Sequence, residues 1–297
     1  LLQGDGKMSK SKGNVLYADE LVDFFGVDAV RYFVLHEMPF ENDGVITWEL
    51  MVERLNSELA NTLGNLVNRT VSMSNKYFGG VVTNTGVEED VDADLKATVL
   101  GTLTKTTEKM DQLRVADALT EIFALFKRCN KYIDETMPWA LAKDPEKKDR
   151  LATVLYNLVE SISYGAALLE SFMPTTSKKI LAQLNAKPRT IDQMTEFGLY
   201  ESGTKVTETP EILFARLDVK EVLAKVEEHK AAQAAEAAQK ENVIDIEAKE
   251  AVSYDDFAKL QFQVGEILSC EAVPKADKLL CSQVKIGSQV RQIVSGI

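Results

Sequence analysis

The chain has 297 residues, a length that at about 150 residues per domain predicts about two domains, or one large domain with an appendage. Its 34 Lys and Arg against 46 Asp and Glu give a formal net charge of −12, which argues against a protein coated with basic surface but leaves local basic patches open. With 45% apolar and 27% charged residues the composition is globular, and no apolar run approaches the ~20 residues of a membrane span.

The cysteines and histidines argue against two common kinds of site. The three cysteines are odd in number and far apart, no Cys-x-x-Cys occurs, and only two histidines are present. We therefore expect neither a disulfide framework nor a zinc or other metal site within the chain, and the cytoplasm is the favoured compartment. Because the chain begins at Leu1 and stops within a strand-like run, we expect it to be an internal piece of a longer protein.

The first part of the chain is predicted to be a loop followed by helices. Glycines and small polar residues break any periodicity up to about residue 16. Short amphipathic helices are predicted over about 18–25 and 27–36. A long helix is predicted from an N-cap at Thr47 to about Tyr77, because its leucines recur at spacings of three and four.

Four further helices complete a predicted bundle, so the fold class is mainly α. They cover about 93–112, 115–136, 145–171 and 175–185. Asp92 or Asp94 is expected to cap the first of them. Pro145 suits the first position of its helix, and Pro174 is expected to stop that helix.

The rest of the chain changes character twice. Residues 186–215 are predicted to be irregular or to form a small hairpin. Between Val222 and about Glu250 the sequence is rich in Ala, Glu, Lys and Gln, which predicts a semi-rigid helical linker rather than a packed element. From Ser253 onward the pattern favours strands, with apolar residues around Phe262–Ile267, Val284–Ile286 and Val290–Val294.

Three lysines lie within six residues of the loop Gly6-Lys7-Met8-Ser9-Lys10-Ser11-Lys12. Two lysines three positions apart on a flexible loop can close on a polyphosphate as mobile point charges. Such charges help most where negative charge develops on a leaving pyrophosphate. The alternative is an ordinary solvated surface loop.

The same loop, with Gly13-Asn14 after it, resembles the KMSKS signature of class I aminoacyl-tRNA synthetases. In that family the loop follows a Rossmann catalytic domain and binds ATP while an amino acid carboxylate attacks the α-phosphate. The resemblance implies that Lys7 and Lys10 are catalytic, that Lys7, Met8, Ser9, Lys10 and Ser11 bind ATP, and that Mg²⁺ accompanies ATP as its counter-ion. The segment Gly26–Tyr32 also resembles the family's connection to the anticodon bundle.

Residues further along favour the methionyl-tRNA synthetase family among the class I enzymes. Asn61, Asn65 and Arg69 are spaced i, i+4, i+8 on the long predicted helix, which places them on one face. Asn65–Arg69 resembles the family's anticodon-reading helix, and Asp134–Trp139 resembles its partner loop. Single-stranded bases are read by aromatic stacking with edge hydrogen bonds, so Asn65, Arg69 and Trp139 are implied to bind the anticodon. The alternatives are a solvated helix face and a core tryptophan, as we expect for Trp48.

The C-terminal segment resembles the tRNA-binding OB domain that is appended to many members of this family and mediates their dimerisation. The resemblance rests on Tyr254–Lys259, Val264–Ile267, Pro274–Leu279 and Arg291–Gly296. The candidates for phosphate contacts are Lys275, Lys278, Lys285 and Arg291. Because 44 residues cannot supply all five strands, a partial β-barrel is expected.

Together these features predict four segments: 1–46 ends a catalytic domain, 47–221 is the helical anticodon-binding domain, 222–252 is the linker, and 253–297 starts the OB domain. The implied function is methionine–tRNA ligase, with methionine and ATP as substrates, tRNA(Met) as partner, a homodimer through the complete OB domain and no membrane association. The chain alone is expected to be inactive. Another class I synthetase and a non-enzymatic tRNA-binding module remain alternatives.

Overall fold

The computed structural model describes residues 2–3, 6–9, 15–38, 43–240, 251–274, 276 and 278–296. The chain divides into two compact units, Leu1–Glu236 and Ala237–Ile297. Within the described ranges, no helix combines the length and the apolar character that crossing a bilayer requires. The mainly helical fold predicted from the sequence is confirmed.

The first unit begins with a short hairpin that is fastened to the chain further on. Its strands are β1 (Leu2–Gln3) and β2 (Gly6–Lys7), paired antiparallel. The Leu2 amide donates to the Gly44 carbonyl and the Ile46 amide donates to the Leu2 carbonyl, each over 2.9 Å. Two helices follow the loop, α1 (Ala18–Phe25) and α2 (Val27–Glu37), as predicted.

A single long helical run follows, and its middle is not α-helical. Thr47 caps α3 (Trp48–Arg54), because its hydroxyl accepts the Leu50 amide over 3.1 Å, as predicted. A π-helical segment (Leu55–Gly64) then leads into α4 (Asn65–Phe78). The wider π turns were not predicted, because the leucines on their inner face remain buried at the spacings that predict an α-helix.

The helices that follow, up to residue 184, form the predicted bundle, with three differences at their ends. The helices are α5 (Asp90–Asp111), α6 (Val115–Thr136), α7 (Pro138–Leu141), α8 (Lys148–Leu169) and α9 (Pro174–Leu184). The predicted cap at Asp92 or Asp94 is wrong, because Glu89 is the N-cap and Asp92 closes a capping box with it. Pro145 opens a 3₁₀ turn ahead of α8, and Pro174 begins α9 rather than only stopping α8.

Residues 186–215 contain a 3₁₀ turn at Ile191–Thr195 but no hairpin of their own. Strand β4 (Thr204–Lys205) pairs instead with β3 (Val81–Val82), more than a hundred residues earlier. Such a long-range pairing leaves no local pattern in the sequence. The segment is thereby attached to the bundle.

Helix α10 (Val219–Lys240) spans most of the predicted linker. Its first turns pack against the core, because Val222 and Val226 are buried. The prediction of an unpacked linker is therefore wrong for this part, and residues 241–250 lie outside the described residues.

The second unit is described by itself. Helix α11 (Tyr254–Phe257) precedes three strands, β5 (Glu266–Ala272), β6 (Leu279–Ile286) and β7 (Gln289–Gly296). They form one antiparallel sheet in the order β5-β6-β7. The first predicted strand begins later than expected, because residues 260–265 are irregular. The sheet agrees with the partial β-barrel predicted for this segment.

Candidate nucleic-acid interface

The turn between α6 and α7 presents Trp139 to solvent. Met137 ends α6 in the left-handed region with φ 45°, and Pro138 is buried at the first position of α7. Trp139 follows with 43% of its surface exposed, whereas Trp48 is 6% exposed and packs edge-on against Phe24 at 5.0 Å between ring centroids. Trp48 is thus the core tryptophan that was expected, and the indole of Trp139 is open to an incoming ring.

Arg69 lies beside the end of helix α6 that leads into this turn. Its Nη2 atom is 3.6 Å from Oδ1 of Asp134, five residues before Trp139. Asn65 is exposed at the start of α4, one helical turn before Arg69. Asn61 belongs to the π-helical segment, so the three-residue stripe predicted on a regular α-helix is interrupted at its first member. Sequence reasoning did not assign a role to Asp134.

Polar contacts fix α6 to the π-helical segment that precedes Asn65. The Asn130 side chain donates to the Thr62 carbonyl over 3.0 Å, and Lys127 forms an ion pair with Glu58 at 3.0 Å. Thr62 and Glu58 both belong to the π-helical segment. The contacts set how α4 and α6 face each other, and hence how Asn65 and Arg69 lie relative to Trp139.

A buried ionic cluster stands below this surface and was missed by sequence reasoning. Arg150 donates from Nη1 to Oδ2 of Asp92 over 2.7 Å and from Nη2 to Oδ1 over 3.1 Å. The Tyr132 hydroxyl also donates to Oδ1, and Asn157 donates to the same oxygen over 3.3 Å. One signal was present, since Asp92 falls in the apolar stripe of α5 three residues before the buried Leu95.

Protonation of the cluster follows from its contacts. Burial alone would raise the pKa of the Asp92 carboxyl, but the hydrogen bonds from Arg150, Tyr132 and the Glu89 backbone outweigh burial and hold the pKa below its usual range. Burial raises the pKa of the Tyr132 hydroxyl, and the hydrogen bond to Asp92 raises it further. Asp92 is therefore a carboxylate and Tyr132 a neutral donor at neutral pH. The cluster fixes α5, α6 and α8 together beneath the turn that carries Trp139.

Part of the lysine loop lies outside the described residues, namely Lys10 and Ser11. Lys7 is exposed on β2, Ser9 is half-buried, and Met8 packs against the hydrophobic core. Met8, an apolar residue between two polar ones, therefore anchors this part of the loop to the core. The assignment of Lys7, Met8, Ser9, Lys10 and Ser11 to ATP stays a prediction.

The basic residues of the second unit do not share one surface. Lys285 pairs with Val290 across β6 and β7, whereas Arg291 pairs with Val284. Neighbouring residues of a strand face opposite sides of the sheet, so Lys285 and Arg291 lie on opposite faces. Lys278 is exposed just before β6, and Lys275 lies outside the described residues.

The family model for the anticodon binding domain of methionyl tRNA ligase matches residues 82–235, more than half of the chain. The chain belongs to the methionyl-tRNA ligase family. Two further models match on either side of that range: tRNA synthetases class I (M) over residues 1–71 and a putative tRNA binding domain over residues 262–297.

Members of the methionyl-tRNA ligase family align along the whole chain. The methionine–tRNA ligase of Caldanaerobacter subterraneus subsp. tengcongensis is 48% identical, and the alignment covers 100% of this chain and 45% of that protein. The methionine–tRNA ligase of Clostridium perfringens is 45% identical, with 100% and 46% covered. The chain therefore spans about half the length of the relatives it matches.

Solved structures of the methionyl-tRNA ligase family share the fold. The methionyl-tRNA synthetase of Mycobacterium tuberculosis bound by methionyl-adenylate superposes with a TM-score of 0.66 at 37% identity, over 70% of this chain and 42% of that chain. The free-state structure of the same enzyme gives a TM-score of 0.64 at 35% identity, over 68% and 41%.

Proposed function

We propose that this chain supplies the ATP loop, the anticodon-binding surface and part of the tRNA-binding surface of a methionine–tRNA ligase. The reaction has two steps. The methionine carboxylate attacks the α-phosphate of ATP, forming methionyl-adenylate and releasing pyrophosphate, and a terminal tRNA hydroxyl then attacks the adenylate carbonyl and releases AMP.

The exposed indole of Trp139 is the observation that carries this proposal. A tryptophan with 43% of its surface exposed, held by a buried proline on a rigid helical turn, is a platform on which a base can stack. Arg69 and Asn65 lie on the adjacent α4 and can donate hydrogen bonds to the edge of that base. An aromatic platform beside amide and guanidinium donors suits the single-stranded anticodon of tRNA(Met).

The lysine loop is assigned to the first step. Lys7 and Lys10 would neutralise the charge that develops on the leaving pyrophosphate, and Met8, Ser9 and Ser11 would complete the contacts to ATP. Magnesium would enter only as the counter-ion of ATP. The expectation that no zinc site lies within the chain stays a prediction.

The second unit is assigned to tRNA contacts outside the anticodon. Lys275, Lys278, Lys285 and Arg291 are candidates for phosphate contacts, with Lys285 and Arg291 acting on different faces of the sheet. A homodimer formed through the complete domain and a cytoplasmic location belong to the same proposal.

The test is an assay of the full-length protein that contains this chain. It should catalyse methionine-dependent exchange of pyrophosphate into ATP and should charge tRNA with a CAU anticodon far better than tRNA with a changed anticodon. Trp139→Ala and Arg69→Ala should each lose much of that preference with exchange intact. Exchange that depends on another amino acid, or charging that ignores the anticodon, contradicts the proposal.

A further inference from the structure

Two charged side chains of helix α2 form hydrogen bonds with backbone groups at the corner between α8 and α9. The Arg31 guanidinium donates from Nε to the Phe172 carbonyl over 2.8 Å and from Nη2 to the Ser171 carbonyl over 3.0 Å. The Asp28 carboxylate accepts the Thr176 amide over 2.5 Å. These contacts join residues about 140 positions apart, and we call Asp28 and Arg31 with their three backbone partners the corner clamp.

Each charge of the clamp meets the end of a helix that favours it. Asp28 caps the N-terminus of α9, where free amide groups and the helix dipole attract an anion. Arg31 takes carbonyl groups in the turn that follows α8, where the dipole attracts a cation. Asp28 is 7% exposed, so its attraction to these groups is little weakened by solvent. Spaced i, i+3, both side chains lie on the same face of α2.

The clamp lies at one end of α8, and the turn that bears Trp139 lies at the other. Helix α8 has 22 residues, which corresponds to about 33 Å. All of its residues from Arg150 to Ala166 are buried, so it is fixed along its length by the surrounding helices. Helix α7, which carries Trp139, comes before α8 in the chain, and a 3₁₀ turn lies between the two helices. A rigid buried helix thus connects the indole surface to the clamp.

On its other side the clamp belongs to the group of elements that holds the lysine loop. Phe25 at the end of α1 packs against Trp48 at 5.8 Å between ring centroids. Trp48 begins α3 two residues after Ile46, whose amide is bonded to Leu2 in the hairpin that carries Lys7. Gly26 has φ 80°, which lets the chain turn directly from α1 into α2.

We propose that Asp28 and Arg31 are positioning residues that fix the Trp139 surface relative to the Lys7 loop, so that binding energy gained at the anticodon orients the acceptor end of the tRNA for transfer. The inference rests on the proposed function. Remote binding energy raises the rate of a step only when it is converted into orientation at the reacting atoms, and small misplacements are costly. Loss of the clamp contacts should therefore leave anticodon binding intact but lower the rate of transfer to the tRNA.

The experiment uses full-length protein with Asp28→Ala and Arg31→Gln, and with the matched controls Asp23→Ala and Arg216→Gln at exposed positions that make no contact of this kind. Three activities are measured: pyrophosphate exchange, charging of full-length tRNA(Met), and charging of a hairpin RNA that has only the acceptor stem. In the clamp variants, kcat for full-length tRNA should fall about tenfold, with KM unchanged. Exchange and hairpin charging should equal those of the unsubstituted protein, as should every activity of the controls.

A double substitution separates positioning from a loss of stability. In the Asp28→Ala background, Trp139→Ala should lower kcat less than it does alone, because the two residues act through one connection. Substitutions at independent sites so far apart have additive effects, so additivity overturns the inference.

Two other outcomes also overturn the inference: an unchanged kcat for tRNA in a folded clamp variant, and a parallel loss of all three activities. Asp28→Asn keeps an oxygen for the Thr176 amide and serves if the alanine variant does not fold. An unsubstituted protein without methionine-dependent exchange instead contradicts the proposed function.

Discussion

The Arg69 guanidinium faces the Asp134 carboxylate across α4 and α6, with 3.6 Å between Nη2 and Oδ1. Asp134 is largely open to solvent, so the ion pair stabilises the fold by no more than about 1 kcal/mol. The ion pair matters for binding instead. Because Arg69 is held only weakly, its guanidinium can leave the Asp134 carboxylate and bind a group of the RNA. The carboxylate meanwhile repels any RNA phosphate that approaches it.

Substitution of Asp134 should therefore change binding and not folding. We expect Asp134→Asn to leave the free energy of unfolding within about 0.5 kcal/mol and to raise the affinity for anticodon hairpins of any sequence at low salt. Fluorescence anisotropy measures these affinities, with labelled RNA hairpins that carry either the CAU anticodon or a changed anticodon, at two salt concentrations. Asp117→Asn is the matched control, because Asp117 pairs with Arg114 at the other end of α6. Unaltered affinity for every hairpin contradicts the prediction.

Trp139 should contribute a base stack of about 1–3 kcal/mol to hairpin binding, lost in Trp139→Ala and partly kept in Trp139→Phe. The same stack should quench tryptophan fluorescence when the CAU hairpin binds. The quench should survive in Trp48→Phe and vanish in Trp139→Phe, because Trp48 is buried. Thermal unfolding serves as the check on folding: a large loss of stability in Trp139→Ala assigns the indole to the core instead.

Lys10→Ala in the full-length protein should slow adenylate formation by roughly 10²–10³-fold, the scale for one preorganised contact to the transition state. The apparent affinity for methionine should stay the same, since the lysine acts on phosphate. Pyrophosphate exchange at varied methionine and ATP concentrations distinguishes the two effects. Lys178→Ala, on the exposed face of α9, provides the control. If Lys10→Ala catalyses pyrophosphate exchange at a rate near that of the unsubstituted protein, the lysine does not act on the phosphates.

The Asp92 cluster predicts how stability changes in acid. The folded pKa of Asp92 is below that of the unfolded chain, so the unfolded state binds more protons and stability falls as the pH drops through the folded pKa, below the ordinary value of 3.8. Asp92→Asn should cost about 3–5 kcal/mol at neutral pH, because it removes the one buried carboxylate that pairs with the Arg150 guanidinium and leaves only the exposed Glu89.

Thermal melts from pH 7 to pH 2 test this pH dependence, because the loss of stability is expected below pH 3.8. The midpoint of the unsubstituted chain should decline more steeply in acid than that of Asp92→Asn, whose residue 92 has no carboxyl to protonate. Asp94→Asn is the control, because Asp94 is largely exposed and pairs with Arg128 on the surface. Parallel curves for all three proteins are incompatible with a paired carboxylate at position 92.

Helix existence followed from the sequence wherever a local pattern determined it. The spacing of leucines in Leu55–Leu66 and the cap at Thr47 locate the long helix, and α6 has the predicted limits. The π-helical turns within that run were not predicted, because they keep the same leucines buried. The cap at Glu89 was missed because an aspartate is a common N-cap in sequences. Asp92 instead closes the capping box from inside the helix and pairs with the distant Arg150, and both contacts are visible only in the folded chain.

The candidate site shows the same division between local and distant information. The order of Asn65, Arg69, Pro138 and Trp139 along the chain is what predicts the candidate surface. What holds that surface is carried by contacts between residues far apart, such as Arg150 with Asp92, and no spacing along the chain announces them. The opposite faces of Lys285 and Arg291 needed the register of β6 and β7.

The Glu160 carboxylate binds the irregular segment 198–200 to the core of the bundle. Its Oε1 atom accepts the amides of Gly198 and Leu199 over 2.7 and 3.1 Å, and its Oε2 atom accepts the amide of Tyr200 over 2.9 Å and pairs with Arg189. Three backbone protons outside any helix or strand are thus bonded to a fully buried carboxylate. Their exchange with deuterium should be as slow as that of α8 and should accelerate in Glu160→Gln, and a protease should spare 197–200 until the bundle itself unfolds.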